Sequence, residues 1–191
     1  LVGSEMCIRD RPIGTAATDG NWHHIAMTWQ KNTVNGFKSY LDGVLVAQRN
    51  SANVNLPAFS SGGYLGSLTG SSEFVTGTID EVHIWKRALS QSEITTNMYS
   101  ELSTTGNSLL ANYHFNQGVA GGNNTSVTTL FDAGGLNYTG TLMNFFLTGP
   151  SSNWISAGFS EICHRFILSA DRTCRDNSHN QRRRIQYVTF Q

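Results

Sequence analysis

The chain has 191 residues, a formal net charge of zero, 39% hydrophobic and 14% charged residues, and 19 glycines. No basic excess recruits nucleic acid, and no apolar run approaches the roughly 18 residues that insert across a bilayer. Few charges with many Gly, Ser, Thr and Asn fit an all-β secreted-type domain better than a helical cytosolic one.

The charge is unevenly spread. Residues 158–191 hold six arginines against three acids, whereas residues 12–157 hold five Lys/Arg against eight acids. Cys7, Cys163 and Cys174 also lie in the ends. The middle therefore has neither a disulfide framework nor a cysteine-based zinc site. Cys163 and Cys174 pair with each other or stay free thiols. The opening "LVGSEMCIRDR" has no apolar stretch of signal-peptide length and looks like translated adapter sequence, so residues 1–11 are set aside. The basic run "NQRRRIQ" lacks aromatic interleaving, and residues 158–191 read as a solvated or non-native tail.

In chain order, "DGNWHHIAMTWQ" (19–30) predicts a turn and then an alternating strand, with Ile25, Met27 and Trp29 on one face. In "FKSYLDGVLVA" (37–47), Asp42-Gly43 is the preferred pair for a two-residue hairpin. That turn sets Leu41 opposite Val44, Tyr40 opposite Leu45 and Ser39 opposite Val46. Phe37, Leu41, Val44 and Val46 then form the expected core face. A short strand is expected in 62–68 and a long or bent one in 74–89. Ser90-Gln91-Ser92-Glu93 is a capping box that predicts a helix over 91–101. "SLLANYHF" (108–115) alternates again, with Leu109, Ala111, Tyr113 and Phe115 together. A Gly/Asn-rich loop and an extra β segment fill 117–157.

The ordered motifs "DGNWHHIAMTW", "YLDGVLV", "GYLGS" and "GTIDEVHIWKRALSQSEI" resemble the laminin-G-like jelly roll of the concanavalin A-like lectin/glucanase group, in its bacterial and pentraxin-related form. The match covers about residues 19–100, including Trp22, His23, His24, Tyr40, Asp42, Gly43, Asp80, Glu81, Trp85, Arg87, Ser90 and Glu93. The resemblance implies an all-β antiparallel jelly-roll sandwich with one short helix, partial here and occupying 12–116, its first strands lying upstream. "DAGGLNYTGTL" resembles, with departures, a segment that follows such domains in secreted multidomain bacterial proteins.

Asp80 and Glu81 invite a catalytic reading. A retaining glycosidase needs two carboxyl groups about 5–5.5 Å apart across one sugar, whereas consecutive strand residues point to opposite faces. The glucanase arrangement of alternating acids is absent from "TIDEVHI". The expectation is no enzyme: Asp80 is partly buried and structural, and Glu81, sharing its face with His83 and Trp85, faces solvent. His23-His24 cannot chelate one metal from a single strand face. Members of the resembled family often bind calcium, which makes calcium the expected cofactor. Asp80, Asp132 and Asn137 are the candidate ligands, although Asp132 and Asn137 also fit an ordinary glycine turn. Three Asn-x-Ser/Thr sequons (at Asn123, Asn124 and Asn137) read as turn composition.

Tyr40 and Trp85, with Trp22 and Trp154, are candidates for stacking on sugar rings. The reading is a non-catalytic carbohydrate- or glycoprotein-binding module, extracellular or cell-surface by resemblance, joined to other domains of its parent chain. The competing reading is a structural or adhesion spacer that contacts proteins and binds no glycan.

Overall fold

The computed structural model describes residues 19–53, 63–68, 70–72, 74–102, 108–149, 152–155 and 188–190. Residues 1–11, the three cysteines and the arginine run lie outside them. Every strand pairing is antiparallel. With a single short helix among the described residues, the chain has the expected all-β architecture.

Strands β1 (Ile25–Trp29), β2 (Phe37–Leu41) and β3 (Val44–Arg49) form a sequential meander. Asp42 and Gly43 both adopt positive φ, 50° and 78°. This left-handed pair matches the right-handed twist of the flanking strands. The predicted pairs Leu41↔Val44 and Tyr40↔Leu45 are present. Beyond them an irregularity sets Ser39 opposite Ala47 rather than Val46. The predicted core face is not the buried one, even where the predicted pairs hold. Val44 is 62% exposed, while Tyr40, at 3%, and its neighbour Ser39 are both buried.

Helix α1 (Gln91–Asn97) starts at the predicted capping box. Ser90 Oγ accepts from the Glu93 amide at 3.3 Å, and the Glu93 carboxylate accepts from the Ser90 amide at 2.8 Å. The helix stops short of the predicted residue 101, because Thr95, Thr96 and Asn97 are poor helix formers. Ile94 and Met98 are buried. Gln91 Nε2 donates to the Gly43 carbonyl at 2.9 Å, which ties the helix to the hairpin turn.

Strands β5 (Val82–Trp85) and β6 (Leu109–Tyr113) pair across the helix-containing connection, with His83 opposite Asn112 and Val82 opposite Tyr113. Their inward face builds the core: Val82, Ala111 and Tyr113 cluster with Leu130 and Trp154. The Trp154 ring packs on Phe145 at 5.3 Å. It also lies so close over Gly118 that a Cβ there would overlap the indole. The third sheet runs in the order β4 (Tyr64–Leu65), β9 (Val188–Phe190), β8 (Gly140–Leu142) and β7 (Thr129–Leu130). Val188–Phe190 belongs to the segment expected to be a tail, yet it is the strand that joins β4 to β8.

Candidate functional site

A groove of about 670 Å³ is lined by residues of β1 and β5, which do not pair with each other among the described residues. Trp29, Tyr64 and Trp85 line it with Met27 and Ile79, and His24, Glu81 and His83 supply polar groups. Trp85, an expected stacking residue, therefore stands on the groove wall. Tyr40 and Trp154 do not serve that role, because both are buried in the packing.

Glu81 departs most from the sequence expectation. The paired strand begins only at Val82, and Glu81 precedes it with φ 50°. A left-handed conformation costs a non-glycine residue about 1–2 kcal/mol. Asp80 supports the turn by accepting the Glu81 amide at 3.1 Å. Glu81 does not face solvent: it is 2% exposed. Arg87 pairs with Glu93 at 2.6 Å. Burial, and then repulsion from Glu81, push the Asp80 carboxyl up to about 7.

The buried Glu81 carboxylate is held by two histidines. Its Oε2 lies 2.8 Å from His114 Nδ1 and 3.2 Å from His83 Nε2. Burial favours the neutral acid, but these two hydrogen bonds outweigh it and hold Glu81 below the ordinary glutamate range. Closeness along the chain and the β5–β6 register explain the meeting. Glu81 and His83 are two apart on one chain, and His114 is two beyond Asn112, which pairs with His83. Sequence reasoning noticed the shared face of Glu81 and His83 but missed His114, whose approach depends on the β5–β6 register. The three ligand atoms lie within 4.8 Å of one another, a spacing that one metal ion can bridge. None of Asp80, Asp132 and Asn137 belongs to this set.

Asp132 is engaged elsewhere. Its buried carboxylate accepts three backbone amides, from Asn112 (2.8 Å), Gly134 (2.7 Å) and Tyr138 (2.9 Å), and so clamps the 132–138 turn onto β6. Asn137, exposed and at φ 60°, accepts from the Thr139 hydroxyl. In the nearby loop Asn124 is buried, and its amide bonds Val119 through both its oxygen and its nitrogen. This is a turn role, as expected of the sequon composition. His23 and His24 both precede β1 and engage Asp42. His23 lies between Asp42 (2.8 Å) and Asp19 (3.0 Å), while the His24 amide donates to Asp42.

No described helix is long and apolar enough to cross a membrane. Comparison with the curated proteins and with solved structures found no match. Comparison with protein families matched residues 8–95 to the concanavalin A-like lectin/glucanases superfamily. The motif order, the antiparallel strands and the capped helix agree with that match, which supports a laminin-G-like jelly roll over this segment.

Proposed function

We propose that the chain is a non-catalytic carbohydrate- or glycoprotein-binding module of a secreted or cell-surface multidomain protein. The observation that carries this reading is the groove between β1 and β5, in which three aromatic residues stand beside a few polar groups. Its volume falls in the usual range of ligand sites, and aromatic faces pack well on the apolar faces of sugars. The family match supports a carbohydrate-binding type of module. The absence of catalysis is supported by the state of the two acids: Glu81 is committed to two histidines, and Asp80 supports its backbone.

A glycan-array screen of the full chain, with calcium and with chelator, tests the reading and the calcium dependence together. Binding to a defined glycan class is expected, weakened roughly tenfold by Trp85→Ala, about the worth of one aromatic contact. A folded sample that binds no glycan in either condition would overturn it. The spacer reading would then gain weight, and it has its own support: Phe131 and Phe146 are both more than half exposed, as at protein-contact surfaces.

A further inference from the structure

We propose that Glu81, His83 and His114 bind one divalent transition metal of the zinc class, whether or not the groove takes a glycan. His83 stands in β5, and Glu81 and His114 directly flank the end of the β5–β6 ladder at the Val82–Tyr113 pair, so paired backbone brings the three donors together before any ion arrives. The separations of 2.8 and 3.2 Å from Glu81 Oε2 to the two ring nitrogens are close to those of ligands on one tetrahedral ion. Zinc–ligand bonds of about 2.0–2.2 Å place neighbouring ligands roughly 3.3–3.5 Å apart. Glu81 Oε2 must open by up to about 0.7 Å from the two nitrogens, and all three atoms already lie within 4.8 Å of one another.

The donor chemistry selects the ion. Two imidazole nitrogens and one carboxylate oxygen suit zinc and its transition-metal neighbours. Calcium takes six to eight oxygens, which this cluster lacks. The charge balance agrees. A carboxylate excluded from water rests between two rings, and a dication placed among the three atoms compensates it more fully than two ring N–H groups.

The surroundings supply an outer partner. When a metal takes Nδ1 of His114, the ring proton moves to Nε2 and needs an acceptor. The Glu101 carboxylate lies 3.9 Å from that nitrogen, the kind of outer partner that metal-bound histidines require. The Asn112 amide nitrogen, which lies 3.1 Å from it and also donates to the Leu102 carbonyl, must shift aside.

The chain carries six histidines and three cysteines, so stoichiometry alone does not locate the ion. Zinc titration of the full chain with Cys7, Cys163 and Cys174 each replaced by Ser is the first measurement. One zinc ion per chain is expected, displaced by cobalt and not by calcium. His83→Gln and His114→Gln should each weaken binding at least about 100-fold, because even supporting groups are worth 10–100-fold. His24→Gln, on the same groove wall, should bind as the parent does. Should a variant fail to fold, long-range ¹H–¹⁵N spectra of the parent decide: zinc must shift Nε2 of His83 and Nδ1 of His114. No bound zinc, unaltered affinity in both folded variants, or shifts at other ring nitrogens would each overturn the proposal.

Discussion

Among the described residues, two histidine–carboxylate constellations stand out, and each inverts the other. At the hairpin, one histidine sits between two carboxylates: His23 bonds Asp42 through Nδ1 and Asp19 through Nε2. At the β5–β6 pair, one carboxylate sits between two histidines. The first uses both nitrogens of a single ring, so its acids lie on opposite sides and do not converge on one point. The acids are also 42% and 46% exposed at the side chain, and water shares their charge. The second draws three donors toward one point around a carboxylate with almost no access to water. The same residue types thus make a surface clamp in one place and a candidate metal centre in the other. Burial and direction of approach decide which.

The largest test of this contrast is Glu81→Ala. Removing one partner of a buried charged network should cost about 3 kcal/mol, read as a lower urea midpoint at unchanged slope. Glu81→Gly deletes the same carboxylate but accepts the left-handed backbone, and should recover about 1 kcal/mol of that loss. Equal losses in the two variants would mean that φ at Glu81 stores no strain.

The hairpin clamp should respond to pH. Burial opposes the charged His23 ring, but the hydrogen bonds to Asp42 and Asp19 outweigh it and raise its pKa above the ordinary histidine value. A raised histidine contributes stability that is complete below its unfolded pKa and is lost as pH rises through the folded one. Melting temperatures of the parent should therefore fall, relative to those of His23→Gln, from about pH 6.5 upward. A constant difference across that range would remove the clamp.

The smallest effect is expected at Arg87–Glu93, an exposed pair that borders neither constellation. Hydrogen bonds from Arg87 and from Ser90 lower Glu93 to about 2. Its contribution is present above the usual glutamate pKa and disappears as pH falls toward 2. Glu93→Gln should therefore lower the melting temperature slightly at neutral pH and not at all near pH 2, as befits a solvent-exposed ion pair.

These two regions also differ in how far they could be read from sequence. The hairpin and the helix cap depend on residues a few positions apart, and Asp42-Gly43 and Ser90/Glu93 name their own geometry. The shared side of Glu81 and His83 was visible as an i, i+2 relation. The burial of Glu81 was not, because a strand period does not foresee the left-handed residue before Val82. Nor did alternation alone predict the core face of the hairpin, since which face is covered depends on what packs against it: Val44 is exposed and Tyr40 buried although both keep their predicted partners.

The sequence by itself determined the class of fold, the hairpin turn, the helix start and the family resemblance, because local backbone preferences and motif order are properties of neighbouring residues. Only the tertiary structure decided that His114 reaches Glu81 and that Asp132 serves backbone amides. It likewise placed Trp85 on a groove wall while burying Tyr40. Those outcomes depend on which strands pair and in which register, and pairing energy is shared among residues that lie far apart along the chain.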